Sequence, residues 1–334
     1  MGRILGKGGF AEVREVSDHQ TGKRFAVKVL SKLAAIERSP DPGTSLINLR
    51  RTQASGESSS AAGRGGDNKR RGYGMSERDL ELIANEVGLL KALAGSKHVV
   101  RLHDVISDLG NIYLVMELCR GGELMSVISQ SRRMTERAVA SMFRQVASAV
   151  ADCHQLGIAH RDIKLENVLI AEPVDPAFFR ASGDDVDRLS PQLRLCDFGL
   201  AVRCRADRPM RATVGSAYYI APEVVARGGY TAAVDVWSLG ASLFLLLSGT
   251  VPFGEGAKNK QDVYKAVQEQ PLRLSGLAWE RVSASAKELV AGMLERDPQK
   301  RYSIEQVLAH PWVQLGQASS ASDGELDLRV LERL

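Results

Sequence analysis

The stretch IAHRDIKLENVLI, residues 158–170, is the feature that most constrains this chain. It carries a His, an Arg, an Asp, a Lys and an Asn between runs of Ile, Val and Leu. Charged side chains are rarely found so close together inside an apolar segment unless the protein needs them there. Asp162, Lys164 and Asn167 place a carboxylate, an ammonium and an amide at spacings of two and five residues. This pattern predicts a functional site.

The overall composition is that of an ordinary globular protein. The 334 residues are 44% hydrophobic and 25% charged, and this length allows one large domain or two modest ones. The 44 Lys and Arg residues against 40 Asp and Glu residues leave a net charge of +4, which is too balanced to argue for a nucleic-acid partner. The longest apolar run, ASLFLLL at 241–247, is too short to span a bilayer.

The spacing of the cysteines indicates in which cellular compartment the protein is found. They show neither a CxxC pair nor metal-ligand spacing, so we expect no disulfide framework. They are Cys119, Cys153, Cys196 and Cys204. Free thiols are typical of a reducing intracellular environment, and the N-terminus carries no secretory signal pattern. We predict an intracellular, cytoplasmic protein and leave a nuclear location open.

The N-terminal part of the chain has strand-like alternation followed by a change in composition. FAEVREV and RFAVKVL flank the turn DHQTGK, which predicts a hairpin with Gly22 in its turn. Residues 39–74 are rich in Ser, Gly, Arg and Asp, and such a segment cannot bury enough apolar surface to offset its ordering entropy. We therefore expect a disordered insertion there.

A helix is predicted after this insertion, over MSERDLELIANEVGLLKAL. Ser76 followed three residues later by Asp79 suggests an acidic capping box. The apolar positions expected on one face of this helix are Leu80, Ile83, Val87 and Leu90.

The rest of the chain is predicted to be mainly helical. Two more strands are expected at VVRLHDVI and NIYLVMEL. A long helix then follows, with its apolar face formed by Val139, Met142, Phe143, Val146 and Val150. A polar interruption at about 172–192 is expected to be a loop that enlarges a hairpin. The pattern predicts an α+β protein with a small β-rich N-terminal part and a larger helical C-terminal part.

A glycine-rich hairpin is followed by a lysine and a helical glutamate. In LGKGGFAEV, residues 5–13, Gly6 and Gly8 would let the backbone approach a phosphate closely; taken alone, the pattern also fits an ordinary turn. No Gly-Lys-Ser/Thr ends it, so it is not a Walker loop. Lys28 in AVKV alone also fits an exposed strand face. Glu86 lies beside the apolar stripe of the predicted helix, and we expect it to pair with Lys28 and hold that lysine against nucleotide phosphates.

The polar residues of the stretch 158–170 are suited to phosphoryl transfer. Asp162 would offer a carboxylate to a substrate hydroxyl, and Lys164 would neutralise charge on a transferring phosphoryl group. Asn167 would supply an amide oxygen to a divalent cation. Asp197 in CDFG follows a predicted strand and precedes a flexible glycine, which suits it to Mg²⁺.

These motifs together resemble those of a eukaryotic protein kinase catalytic domain. The set is GKGGFAEV, AVK, Glu86, HRDIKLEN, DFG, APE at 221–223, DVWSLG at 235–240 and RDPQKR at 296–301. The resemblance implies a two-lobed kinase fold over residues 1–313. It has an N-lobe over about 1–118, a C-lobe over about 119–313 and a tail over 314–334. ATP and Mg²⁺ are the implied cofactors.

The resemblance also implies roles for individual residues. Asp162, as the base, would act with Lys164 and Asn167 in catalysis, and Asn167 and Asp197 would bind Mg²⁺. Glu223 would pair with Arg301, and Asp235 would anchor the catalytic loop. The implied ATP-binding residues are Leu5, Gly6, Gly8, Val13, Ala26, Lys28, Glu86, Met116, Glu117, Cys119 and Leu169. The implied hydrophobic column is Leu90, Leu102, His160 and Phe198.

The type of kinase follows from further resemblance. Lys164 two residues after the aspartate is the serine/threonine pattern, and Ser216 stands where such kinases usually carry Thr. The chain most resembles the calcium/calmodulin-dependent group, and within it the calcium-dependent kinases of plants and protists. Glu123 and Glu166 would favour Arg three residues before the phosphoacceptor; the alternative is that both are solvated surface acids.

The chain departs from this pattern in its regulatory parts. Ala212 stands where many relatives carry the regulatory Thr, and Thr213 is one position away. We therefore expect that activation needs no phosphate there, although Arg161 would ordinarily bind one. No EF-hand loop follows position 313, so a calcium sensor is expected only from another chain or a missing region. Because the sequence begins at the glycine loop, it leaves open whether the chain is truncated at its N-terminus.

Three functions compete on the sequence. The leading hypothesis is an active, monomeric serine/threonine kinase that transfers the γ-phosphate of MgATP to protein hydroxyls. The second is a pseudokinase that acts as a nucleotide- or partner-binding scaffold, against which the complete set of catalytic residues argues. The third is a small-molecule kinase, which would not need the APE to DVWSLG region that shapes a peptide groove.

Overall fold

The chain divides into a β-rich unit and a mainly helical unit. The computed structural model describes residues 2–7, 11–32, 75–131, 133–204, 208–314 and 325–327. Unit 1 comprises Met1–Ala84 and Leu102–Glu117, and unit 2 comprises Asn85–Arg101 and Leu118–Leu334. The predicted insertion at 39–74 and Gly8 lie outside the described residues.

Unit 1 contains a five-stranded antiparallel sheet in the order β1-β2-β3-β5-β4. Its strands are β1 (Ile4–Lys7), β2 (Ala11–Ser17), β3 (Arg24–Ser31), β4 (Leu102–Ser107) and β5 (Asn111–Glu117). The predicted hairpin is confirmed by the pairing of β2 with β3. Gly22 lies in its turn with φ of 69°, a conformation that favours glycine, and its N–H donates to the Asp18 carbonyl at 2.9 Å.

The predicted helix after the insertion is α1 (Glu77–Ala92). Ser76 Oγ accepts from the Asp79 backbone N–H at 3.3 Å, and Asp79 Oδ2 accepts from the Ser76 backbone N–H at 3.1 Å. This reciprocal pair confirms the acidic capping box. Leu80 differs from its prediction because its side chain is 44% exposed, whereas Glu86 is buried.

The second half of α1 belongs to unit 2, whereas the predicted N-lobe extended to residue 118. The segment after the helix explains this grouping. Val99 forms a parallel bridge with Leu195, and the Val100 N–H donates to the Leu195 carbonyl at 2.9 Å. The segment after α1 is therefore hydrogen-bonded to Leu195 of β10, which groups it with unit 2.

Unit 2 is built mainly from helices and three small sheets. The sheets have the orders β10-β9-β6, β11-β8 and β12-β7. Their strands are β6 (Gly122–Glu123), β7 (Arg133–Thr135), β8 (Ile158–Ala159), β9 (Val168–Ile170), β10 (Leu193–Leu195), β11 (Val202–Arg203) and β12 (Glu325–Asp327). The helices are α2 (Leu124–Gln130), α3 (Glu136–Gln155), α4 (Asp185–Leu189), α5 (Pro222–Val225), α6 (Ala233–Ser248), α7 (Lys260–Glu269), α8 (Leu277–Glu280), α9 (Ala284–Met293), α10 (Ile304–Ala309) and α11 (Pro311–Gln314).

The core of unit 2 surrounds α3 and α6. The predicted apolar face of α3 is confirmed, since all five of its predicted residues are buried. Helix α6 is buried along almost its whole length and contains the ASLFLLL run, so this run is a core helix segment. No described helix has both the length and the apolar character needed to cross a bilayer.

A buried carboxylate connects three helices of this core. Glu136, in the first turn of α3, accepts hydrogen bonds from the N–H and Oγ of Ser283, the N-cap of α9. It also accepts from the indole N–H of Trp312 on α11. The Trp312 ring packs edge-on against Phe143 at 5.9 Å. One acidic side chain thereby links the start of α3 to two later helices.

The segment 172–192 differs from its prediction as a loop. It does enlarge the hairpin of β9 and β10, but it contains a 3₁₀ helix (Pro176–Arg180) and α4. Phe178, Phe179 and Val186 are buried, and burial of these apolar side chains offsets the entropy of ordering the segment.

Part of the predicted tail forms a strand. β12 pairs antiparallel with β7, with Leu326 opposite Met134. Leu326 is 2% exposed, so this strand is held by both backbone pairing and side-chain burial.

Candidate active site

The three polar residues of the opening stretch lie together in unit 2. They follow β8, and Asn167 ends a 3₁₀ turn (Leu165–Asn167). Asp162 Oδ2 accepts from Lys164 Nζ at 2.8 Å and from Asn167 Nδ2 at 3.0 Å. Its Oδ1 accepts from the Ser216 Oγ at 2.9 Å and from the Ser216 N–H at 3.1 Å. Asp162, which is only 4% exposed, is thus a buried carboxylate that accepts hydrogen bonds from several donors.

These donors determine the protonation state of Asp162. Burial by itself raises its pKa, but the charge and hydrogen bond of Lys164, together with smaller contributions from other neighbours, outweigh burial and hold the pKa below its usual range. The Ser216 hydroxyl acts in the same direction. At neutral pH this carboxyl group is therefore ionised and can accept a proton.

Asp197 is fixed beside this cluster by backbone contacts. The N–H of Cys196 donates to the Asn167 carbonyl at 2.9 Å, and β9 pairs with β10 through Val168 and Leu195. Asp197 has φ of 60° and ψ of 72°, a left-handed conformation that costs energy for a residue other than glycine. The structure thus brings Asn167 and Asp197 to the same end of one hairpin.

The predicted ring stack is present next to Asp197. The His160 and Phe198 rings pack edge to face with centroids 4.7 Å apart. His160 Nε2 donates to the Cys196 carbonyl at 3.1 Å. Leu90 of the same predicted column is buried in unit 2, while Leu102 belongs to unit 1 and its part in the column stays a prediction.

The predicted anchoring role of Asp235 is confirmed. This fully buried carboxylate on α6 accepts from the backbone N–H groups of His160 at 2.9 Å and Arg161 at 2.8 Å. It also accepts from His154 Nε2 at 3.0 Å. Burial raises the pKa of Asp235, but the hydrogen bond and charge of His154, together with the charge of His160 and the hydrogen bond from the Arg161 N–H, outweigh this and lower it. The core helix therefore holds the loop that carries Asp162 in position.

The predicted pair of Glu223 and Arg301 is also confirmed. Arg301 donates from both terminal nitrogens to the two carboxylate oxygens of Glu223, at 2.7 and 2.9 Å. Its guanidinium carbon lies 5.1 Å from the centroid of the Trp237 ring. This bidentate pair joins α5 to the segment after α9 and so fixes the chain just after Ser216.

The two predicted specificity acids have different surroundings. Glu166 is partly buried, and Tyr219 Oη donates to it at 3.4 Å. Burial is the main cause that raises the pKa of Glu166. Glu123 lies on β6, opposite Leu169 of β9, and is exposed.

Most of the predicted nucleotide-binding residues lie on the sheet of unit 1. Val13 is directly opposite Lys28, and Ala26 is directly opposite Met116, so these four residues share one face of the sheet. The remaining ones in unit 1 lie on β1 and β5 and are Leu5, Gly6 and Glu117. Glu86, Cys119 and Leu169 belong to unit 2, and the pairing of Lys28 with Glu86 stays a prediction.

The donor set suits Mg²⁺ shared with phosphate better than a cation held by protein alone. Among the described residues, no group of three or more His, Cys, Asp or Glu side chains could hold a metal ion. Asn167 uses its Nδ2 protons on the carbonyl and carboxylate of Asp162, so its amide oxygen is the atom available to a cation. Mg²⁺ commonly takes one or two protein oxygens and completes its shell with water and phosphate.

Sequence reasoning missed two residues that support the loop carrying Asp162, namely His154 and Tyr230. His154 bonds to Asp235, and it lies four residues after Val150 on the apolar face of α3, where a polar residue could have been noticed. Tyr230 contacts Arg161, with its Oη 3.2 Å from Nη1. Its only sequence signal was its position after two glycines in RGGYT.

The geometry agrees with the comparison to known proteins. Residues 69–313 match the family model described as Protein kinase domain. The chain belongs to the protein kinase family. The motifs from Glu86 to Arg301 fall within the matched range, and the β-rich and helical units give it the α+β protein kinase fold.

Curated relatives of this kinase chain are calcium-dependent protein kinases. It is 38% identical to calcium-dependent protein kinase 19 of Oryza sativa subsp. japonica over 260 residues, covering 78% of this chain and 45% of that protein. It is also 38% identical to calcium-dependent protein kinase 2 of Zea mays over 260 residues, covering 78% of this chain and 47% of that protein. Calcium-dependent protein kinase 9 of Arabidopsis thaliana is 33% identical over 334 residues, which is 100% of this chain and 51% of that protein. The chain spans about half the length of these relatives.

Proposed function

We propose that this chain is a serine/threonine protein kinase that transfers the γ-phosphate of MgATP to hydroxyl groups of protein substrates. The observation that carries the proposal is the buried Asp162 carboxylate, which accepts hydrogen bonds from Lys164, Asn167 and Ser216. This arrangement suits a base that must be ionised and precisely oriented.

In the proposed reaction the substrate hydroxyl loses its proton to Asp162. The hydroxyl oxygen forms a bond to the γ-phosphorus while the bond from that phosphorus to ADP breaks. The lowered pKa of Asp162 keeps it ready to accept the proton at neutral pH. Lys164 holds one carboxylate oxygen and places a positive charge where phosphoryl charge develops.

MgATP would supply the phosphoryl group and the cation that neutralises it. The amide oxygen of Asn167 and the carboxylate of Asp197 would hold Mg²⁺. The phosphates would be bound by Gly6, Gly8 and Lys28, with Glu86 orienting the lysine. The adenine would be bound by Leu5, Val13, Ala26, Met116, Glu117, Cys119 and Leu169.

The proposed substrate preference is Arg three residues before the phosphoacceptor. Glu166 supports it because a partly buried carboxylate next to a tyrosine hydroxyl is a favourable partner for a guanidinium. Glu123 would add a second, exposed negative charge. Protein substrates, a monomeric state and a cytoplasmic location are parts of the same proposal. A calcium sensor belongs to it only if another chain or a missing region supplies one.

The test is a kinase assay on a degenerate serine and threonine peptide library, with and without calcium. Wild type should phosphorylate peptides, whereas Asp162→Asn should lose most of this activity. Asp185→Asn is the matched control because that carboxylate is exposed and bonds to Arg188. If wild type were as inactive as Asp162→Asn, the pseudokinase alternative would replace the proposal. Phosphorylation of small alcohols but of no peptide would favour the small-molecule alternative.

A further inference from the structure

The guanidinium of Arg161 is held by neutral oxygen atoms of the chain itself. Its Nε donates to the Leu200 carbonyl at 2.7 Å, and its Nη1 donates to Tyr230 Oη at 3.2 Å. The backbone of Arg161 is fixed by Asp235 and has φ of 66°. Tyr230 is buried, so the contact between these two side chains is shielded from water.

Tyr230 also bonds to the segment 208–216 and so connects that segment to Arg161. Its hydroxyl donates to the Ala212 carbonyl at 2.6 Å while it accepts from Arg161, so it uses both its donor and its acceptor capacity. The backbone of Tyr230 also exchanges two hydrogen bonds with Met210, each of 2.9 Å. One tyrosine therefore attaches this segment to the catalytic loop at two neighbouring positions.

A second attachment lies three to four residues after Ala212, at Gly215 and Ser216. Gly215 has φ of 104° and lies so close to the Arg161 carbonyl that a Cβ would be 2.7 Å from that oxygen. Ser216 then bonds to Asp162 and Lys164. Because the chain from Ala212 to Ser216 is short, a shift at Ala212 displaces Ser216 from Asp162.

We infer that Tyr230 is a positioning residue that keeps Ser216 on Asp162 by joining Arg161 to the Ala212 carbonyl, without a phosphate on the segment. The inference rests on the proposed kinase function, since it concerns how the site of that activity is kept in order. Arg161 could satisfy its charge with a phosphate on a neighbouring hydroxyl. Here two oxygens of the chain accept its hydrogen bonds, and in this proposal these two bonds hold the segment in place of a phosphate on Thr213.

The experiment compares Tyr230→Phe with wild type and with Tyr264→Phe, a half-buried tyrosine on α7. The variant removes only the hydroxyl, and the loss of its two hydrogen bonds should speed amide exchange at residues 210–216 by about tenfold. The kcat/KM for a peptide should fall to a similar extent, while the KM for ATP stays unchanged. Phosphatase-treated wild type, verified by mass spectrometry, should keep its activity.

A second variant distinguishes loss of this one contact from a general loss of stability. Arg161→Gln should give the same faster exchange at 210–216, and the double variant should be no worse than either single one if both side chains act through one contact. Exchange rates in Tyr230→Phe equal to those of wild type would overturn the inference. A strict requirement for phosphate on Thr213 would do so as well. Wild type that phosphorylates no peptide would instead count against the proposed function, and the exchange data would still decide the role of Tyr230.

Discussion

Lys164 donates a hydrogen bond to Asp162 over 2.8 Å, and each of these side chains is only 4% exposed. The pair is charged and shielded from water, so each group strongly affects the other. Burial alone would raise the pKa of Asp162, and the ammonium of Lys164 is the largest of the influences that lower it. The proton acceptor of the proposed reaction therefore depends on its neighbour two residues away.

Lys164→Met should shift the acid limb of the kcat/KM profile to higher pH. Without the ammonium, the main influence that opposes burial is lost and the pKa of Asp162 rises, so the base becomes protonated at a higher pH than in wild type. Peptide phosphorylation measured from pH 5 to 8 checks this. Lys265→Met, which removes a largely exposed lysine on α7, should leave the profile unchanged. An unmoved acid limb would show that Asp162 is not the titrating group.

Asp235→Asn should destabilise unit 2 by about 3 kcal/mol at pH 7, since an amide leaves one of three buried donors without an acceptor. The pKa of Asp235 is lowered in the folded state. Its stabilising contribution is therefore present above the ordinary value of 3.8 and is lost as pH falls through the folded pKa. Urea unfolding at neutral and acid pH should show the two proteins converging in acid. Asp185→Asn changes an exposed carboxylate, and its free energy of unfolding should equal that of wild type at both pH values.

Arg301→Lys should lower stability by about 2 kcal/mol despite keeping the charge. A lysine cannot make the two parallel hydrogen bonds to Glu223 or stack its head group on Trp237 in the same way. Thermal unfolding measures the effect. The comparison is Arg188→Lys, whose arginine makes an exposed contact with Asp185, and this change should be within about 0.5 kcal/mol of wild type.

Glu166→Gln should reduce the preference for Arg three residues before the acceptor. Because burial raises the pKa of Glu166, the wild-type preference should also weaken as pH falls and the carboxyl group takes up a proton. The measurement is the ratio of kcat/KM for an Arg peptide to that for its Ala counterpart, from pH 5 to 8. Glu172→Gln, an exposed acid paired with Arg120, serves as control. Equal ratios for wild type and Glu166→Gln would remove Glu166 from the substrate site.

Gly215→Ala should cost about 1–3 kcal/mol and reduce peptide phosphorylation. The new methyl group would meet the Arg161 carbonyl at 2.7 Å, and the backbone has positive φ. Gly228→Ala is a matched control, because nothing lies within 4 Å of its Cβ position and its φ is not in the left-handed range. Chemical unfolding and steady-state assays of the two variants should therefore diverge.

The parts of the fold that follow from local pattern could be predicted from the sequence. The Ser76 and Asp79 capping box and the apolar face of α3 depend on spacings of three and four residues, which are visible without a structure. The anchor at Asp235 and the pair of Glu223 with Arg301 are long-range contacts. They were predicted only because several motifs together resembled one family.

The parts that depend on distant partners without a local pattern could not be predicted. Phe178 and Phe179 lie in a polar segment with no helical period, and their burial depends on the unit 2 core. The strand of Leu326 exists only by pairing with β7. Tyr230 acts through Arg161, Met210 and Ala212, the nearest of which is 18 residues away from it in the chain, so its role becomes visible only when the chain is folded.

The position of Glu136 has a practical consequence for shortened versions of the domain. Its carboxylate depends on donors from Ser283 and Trp312, which lie more than a hundred residues after it in the chain. An expression fragment that stops before Trp312 would expose the space against Phe143 and leave a buried negative charge with one donor group fewer. Protein made for crystallisation or inhibitor screening should therefore extend through Gln314.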